Sequence, residues 1–213
     1  AQAAKNNHRD EQSINLLAVS KTKPADDIIA AYKHGQRQFG ESYVQEAITK
    51  VTALADYKDI VWHFIGPIQS NKSAQVATHF DWVQSVDRTK IAKRLNEQRP
   101  ADKAPLNVLI QVNISLEEAK SGCHPDELMA LAEFVNQCPN LCLRGVMAIP
   151  AKTDDAQLQL QYFEQLSACF DKLKAQYPQV DTLSMGMSND VEAAIAAGST
   201  MVRIGTDIFG QRN

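Results

Sequence analysis

Positive charge is not in excess in this sequence: 22 Lys and Arg stand against 25 Asp and Glu, a formal net charge of −3. Proteins that hold nucleic acid or an anionic membrane through their overall field carry the opposite balance, so neither partner is expected. Long apolar runs are also missing. None approaches the roughly 18 residues that cross a bilayer, and the polar opening AQAAKNNHRDEQ is not a secretory signal. The first residue is Ala rather than Met, which fits a processed or incomplete N-terminal segment. Cysteine is scarce. Cys123, Cys138, Cys142 and Cys169 show neither disulfide-framework spacing nor a C-x-x-C pair, so reduced thiols in a cytoplasmic protein are expected. The five histidines are scattered, and with no H-E-x-x-H or calcium-loop pattern no metal site is expected.

What the chain does contain is enough apolar material to fold. At 213 residues and 44% hydrophobic content it supports one substantial core and not two, so a single domain over residues 1–213 is expected. Short β-branched runs alternate with longer amphipathic stretches, the pattern of repeated strand–helix units around a parallel sheet. Strands are predicted at 14–22, 37–40, 61–66, 82–87, 107–115, 144–150, 182–188 and 201–206. Helices are predicted at 25–34, 42–54, 71–79, 88–98, 125–137, 154–176 and 189–197, the last capped by Ser188 or Asn189 and ended by Gly198. Eight such units in one domain indicate an α/β fold of the (β/α)8 TIM-barrel type. A doubly wound open sheet is the alternative. The missing G-x-G-x-x-G after the first strand and the end of the chain soon after the eighth weigh against it.

In a barrel the working residues sit at the C-terminal ends of the strands. Strand one ends Ser20-Lys21-Thr22-Lys23-Pro24; strand seven ends Gly186-Met187-Ser188-Asn189; strand eight reads Arg203-Ile204-Gly205-Thr206. Loops after strands seven and eight form the usual phosphate grip of barrels, and Ser188, Gly205 and Thr206 suit one, with Arg203 neutralising the anion or facing a ring nitrogen. The same residues also suit ordinary caps and turns. Lys21 tips the balance, because an amine following Leu16-Leu17-Ala18-Val19 is partly desolvated and becomes a better Schiff-base nucleophile. An amine beside a phosphate grip suggests a phosphorylated aldehyde, and pyridoxal 5′-phosphate is the commonest cofactor of that kind. Lys23 shares the strand parity of Lys21, so alternation does not separate the two. His63 reads as a semi-buried, hydrogen-bonded side chain, Tyr43 as a packing residue, and the basic residues of 90–99 as a solvated helix face.

These segments resemble a known family. LLAVSKTKP (16–24), FGESYVQE (39–46), WHFIGPIQSNK (62–72), LNVLIQVNIS (106–115), KSG (120–122), RGVMAIPA (144–151) and LSMGMSNDVEAAIAAGSTMVRIGTDIFG (183–210) are similar to the pyridoxal-phosphate homeostasis proteins. That YggS-like family resembles in turn the N-terminal barrel of alanine racemase, a fold-type III pyridoxal-phosphate barrel. The resemblance implies a monomer holding the cofactor as an internal aldimine on Lys21. It also implies that Ser188, Gly205 and Thr206 hold the phosphate, with Arg203 near the ring or phosphate. His63, Met147 and Ser42 would line the surroundings. Ser42 departs from the Asn that many members carry, and Lys120 matches a family lysine near the mouth.

The family is associated with vitamin B6 balance and not with an established reaction. The favoured function is therefore a carrier that sequesters pyridoxal phosphate and delivers it to apo-enzymes, with no catalytic residue assigned. A small racemase or lyase acting on amino acids is the alternative. Alanine racemase needs a second base, a tyrosine from a separate β-domain, and this chain ends soon after strand eight.

Overall fold

Eight short strands carry the branched apolar residues: β1 (Asn15–Val19), β2 (Gln38–Glu41), β3 (Val61–Phe64), β4 (Trp82–Val86), β5 (Leu106–Gln111), β6 (Leu141–Met147), β7 (Thr182–Ser184) and β8 (Met201–Ile204). In the computed structural model, which describes residues 1–211, they form one closed parallel barrel in sequence order. Arg212 and Asn213, the last residues of the expected domain, lie outside the described residues. Closure runs through β1 and β8, paired from Asn15 opposite Met201 to Ala18 opposite Ile204. The crossovers are helical: α2 (Ala25–Lys33), α3 (Val44–Ala53), α4 (Ser73–His79), α5 (Thr89–Gln98), α6 (Leu128–Asn136), α7 (Ala156–Gln176) and α8 (Val191–Ala196). No helix among the described residues is long and apolar enough to cross a membrane.

Apart from the exposed start of β1 at Asn15 and Leu16, the strands are largely buried on both faces, so their apolar runs are nearly continuous. Strand side chains such as Phe39 and Phe64 share the main core with Phe80, which follows α4, and with helix residues such as Ile91, Leu95 and Phe163, all fully buried. Two helices lie beyond the predicted pattern, α1 (Gln2–Asn6) and α9 (Thr206–Phe209), both too short to show a period. Tertiary contacts hold α1 in place: Asn6 and Asn7 donate to Glu192, and Arg9 donates to the carbonyls of Ile195 and Ser199.

The predicted strands overrun the observed ones at their C-terminal ends. Beyond Gln111, Val112 bridges to Cys123 and the Asn113 N–H donates to the Cys123 carbonyl, so this stretch pairs with its own loop. Beyond Ser184 the chain turns through Gly186 at φ +99°. The N-cap of α8 is Asp190 rather than Ser188 or Asn189; its carboxylate accepts from the Met187 N–H, which leaves Ser188 in the loop before the helix.

Where β5 meets β6 the register shifts between Val108 and Leu109, and Gly145 follows on β6 at φ +153°. A Cβ there would stand 1.8 Å from the Thr182 carbonyl oxygen, which is backbone and cannot yield. Gly145→Ala is therefore expected to destabilise the fold by about 3 kcal/mol or more, checked by urea denaturation.

Candidate ligand pocket at the C-terminal end of the barrel

A cavity of about 700 Å³ opens at the C-terminal end of the strands. Lys21, Ser42, Ser188, Arg203, Gly205 and Thr206 line it, joined by Lys23, Lys152 and Asp207. Six of the eight cofactor residues named from the sequence thus meet at one place. His63 and Met147 are fully buried and do not line the cavity. Lys120 does not line it either; it lies in the loop after β5, where its carbonyl accepts from the Asn113 amide.

Lys21 stands in the turn after β1, and α3 grips the peptides on both sides of it. Buried Lys50 donates from Nζ to the Ser20 carbonyl at 2.8 Å and to Glu41 Oε1 at 2.9 Å. The Ser20 hydroxyl donates to the same Glu41 oxygen at 2.6 Å. Glu46 Oε1 accepts from Lys50 Nζ at 2.5 Å and from the Thr22 N–H at 2.6 Å. Thr22 itself is left-handed at φ +64°, a conformation that a threonine holds only when its surroundings impose it. Two carboxylates thus share one ammonium. Burial pushes the Glu41 carboxyl above its ordinary range, against the lowering pull of Ser20 and Lys50.

Glu41 stands at the end of β2, where the sequence reading gave it no role, while Glu46 and Lys50 lie in α3 and escape a reading by strand ends. The only local signal is the Glu46–Lys50 spacing of one helical turn, which more often marks an exposed pair. Two other readings change. Tyr43 is 51% exposed and so is not a packing residue, because it enters α3 from the rim. Arg99 is buried, not solvated, and donates to the carbonyls of Ala77, Phe80 and Ala104.

Arg203 reaches the cavity from β8 although its residue is only 3% exposed. Its Nη1 donates to the Ser184 hydroxyl at 2.7 Å and its Nη2 to the Ala148 carbonyl at 2.8 Å. Among the described residues no carboxylate lies within ion-pair distance of it. Burial pushes its pKa down to about 10, with Asp190 acting the other way. Around the cavity Lys21, Lys23, Lys152 and Arg203 outnumber Asp207, the one carboxylate among the described residues of its lining.

His63 is fully buried rather than semi-buried, stacked on Trp82 at 5.1 Å with 15° between the rings. Burial pushes its pKa down to about 3, so it is neutral and is not a base at physiological pH. Between the ordinary value of 6.5 and about 3, the unfolded chain binds a proton that the folded chain refuses. Stability is therefore lost as pH falls through this window, by up to about 1.4 kcal/mol per pH unit from this residue. His63→Phe is expected to flatten the slope of unfolding free energy against pH in that window, read by urea titrations at a series of pH values.

The family model for the alanine racemase N-terminal domain matches residues 2–213. The pyridoxal phosphate homeostasis protein of Haemophilus influenzae is 56% identical over 214 residues, which cover 99% of this chain and 90% of that protein. The solved structure of PipY from Synechococcus elongatus with pyridoxal phosphate bound matches with a TM-score of 0.85 at 37% identity, over 97% of both chains. Alanine racemase from Corynebacterium glutamicum shares the fold, with a TM-score of 0.69 at 18% identity over 99% of this chain and 61% of that one. A full-length match of this kind, on a closed eight-stranded barrel, places the chain in a family: it belongs to the alanine racemase N-terminal domain family, alongside relatives named pyridoxal phosphate homeostasis proteins.

Proposed function

We propose that this protein binds pyridoxal 5′-phosphate in the cavity at the C-terminal end of its barrel and acts in cofactor homeostasis, not as a committed catalyst. The observation that carries this reading is the company Lys21 keeps. One cavity wall brings its amine together with the Ser188 and Thr206 hydroxyls, the Gly205 backbone and the buried guanidinium of Arg203. A guanidinium with no carboxylate in ion-pair range among the described residues suits a ligand that brings its own negative charge or a ring nitrogen. Bound there, the cofactor supplies a reactive aldehyde. Lys21 Nζ bonds the aldehyde carbon with loss of one water, and the return of water releases it, so holding is reversible. Ser188, Gly205 and Thr206 hold the phosphate, and Arg203 faces the ring or phosphate. Ser42 lines the same cavity, and fully buried His63 and Met147 stand outside its lining.

On this reading the protein is a cytoplasmic monomer that keeps a reactive aldehyde out of solution and passes it to apo-enzymes. The names of its relatives support homeostasis, and the pyridoxal phosphate in PipY supports the ligand. The test is borohydride reduction of the loaded protein followed by peptide mapping. The label is expected on the peptide carrying Lys21; finding it mainly on Lys23 or Lys120, or on no lysine, overturns the assignment. Exchange of amino-acid α-protons at enzyme-like rates by the loaded protein would sink the carrier role.

A further inference from the structure

The inside of a (β/α)8 barrel is ordinarily filled by bulky branched apolar side chains. The middle of this one is polar. His63 on β3, Gln84 on β4 and Ser184 on β7 are fully buried, and Arg203 on β8 nearly so. They form one hydrogen-bonded chain across the interior, since β4 and β7 are not neighbours in the barrel. Arg203 Nη1 donates to Ser184 Oγ at 2.7 Å, Ser184 Oγ donates to Gln84 Oε1 at 2.7 Å, and Gln84 Nε2 lies 3.0 Å from His63 Nδ1.

The direction of this chain follows from its first member. A guanidinium only donates, so Ser184 accepts from it, and the Gln84 oxygen that faces the hydroxyl takes its single proton. The Gln84 amide then has its NH2 toward His63, whose Nδ1 must be the acceptor. The imidazole is thereby the neutral Nε2–H tautomer. Every proton points away from the cavity, and every acceptor points toward Arg203. Four buried polar groups would be costly without such pairing, and the chain ends at His63 Nε2, which has no partner among the described residues. Packing alone would be served by leucine.

We propose that Gln84 is a positioning residue for Arg203, acting through Ser184 to hold the guanidinium at the cavity wall in one orientation. This rests on the reading that the cavity takes pyridoxal phosphate with Arg203 facing it. Together with the Nη2 bond to the Ala148 carbonyl, the relay pins two guanidinium nitrogens to the barrel. The cation is then aligned before the ligand arrives and loses little freedom on binding it.

The test titrates pyridoxal phosphate against the full chain and three variants, following the dissociation constant and the absorption maximum of the bound cofactor. Gln84→Met keeps the volume and removes the relay; Ser184→Ala cuts it at the other joint. Both are expected to weaken binding about tenfold and to shift the absorption maximum. Gln84→Glu keeps the acceptor for Ser184 and is expected to restore both readouts toward wild type. Wild-type affinity and spectrum in folded Gln84→Met and Ser184→Ala overturn the proposal. So does failure of Gln84→Glu to improve on Gln84→Met. Should the variants not fold, the imidazole nitrogens of His63 in the cofactor-free wild type decide by NMR: an Nδ1–H tautomer reverses the donor order and overturns the proposal. Absence of pyridoxal phosphate binding by the wild type instead removes the cavity reading itself, so the two failures differ.

Discussion

Lys50→Met is expected to lower the unfolding free energy by about 3–5 kcal/mol at neutral pH. The lysine side chain is 7% exposed and the Glu41 carboxylate that it meets is 0% exposed, so neither can recover its hydration when the other is removed. Glu41 already carries a carboxyl pushed upward by burial, with one carboxylate oxygen lacking any partner among the described residues. Without the ammonium neither it nor Glu46 keeps an ion-pair partner among the described residues. The loss should be partly recovered in Glu41→Gln/Lys50→Met, which leaves no uncompensated buried charge. Lys93→Met, which breaks an exposed pair with Glu97 at 3.8 Å, should change stability little. Urea denaturation of all three variants checks the set. If Lys50→Met unfolds no more easily than Lys93→Met, the buried cluster is not a structural clamp. Because Lys50 and Glu46 hold the peptides before and after Lys21, Lys50→Met should also weaken retention of pyridoxal phosphate.

Lys21→Ala should abolish the yellow colour of the protein loaded with pyridoxal phosphate, while Lys23→Ala should retain it. Both amines line the cavity, so position alone does not choose between them. Their supports do. The Lys23 ammonium donates to the Gln211 carbonyl at 2.9 Å and is tied to the end of the described chain. Lys21 is half-buried, in a turn whose flanking peptides are bonded to α3, so its amine is presented from a rigid base. Loss of the covalent link leaves the phosphate contacts, and a weakly held, dialysable cofactor is the expected residue of binding. Absorbance spectra before and after dialysis settle it; colour that survives in Lys21→Ala places the link elsewhere.

The order of eight strands and seven crossover helices was legible because the strands are largely buried on both faces and every helix turns one apolar stripe inward. Strand ends were read too long at 107–115 and 182–188, since apolar residues continue past the last barrel pairing into the loops that follow. The short helices α1 and α9 carry no period; Asn6 of α1 is bonded to Glu192, and Phe209 of α9 packs against the main core.

For the site the division is similar. Lys21, Ser42, Ser188, Arg203, Gly205 and Thr206 could be named because barrel topology sends every strand end to one rim, so adjacency there follows from connectivity alone. The Lys50–Glu41 clamp and the relay from Arg203 to His63 could not, since each depends on which side chains face one another across elements. Strand alternation tells that Gln84 and Ser184 each lie on one face of their strands, but not that those faces meet. By itself, then, the sequence determined the barrel and the rim on which its polar residues gather. Only the closed tertiary structure decided how that rim is braced, because closure brings β4 and β7 within reach across the interior and buries an amide whose partners are a serine hydroxyl, an imidazole and a thioether.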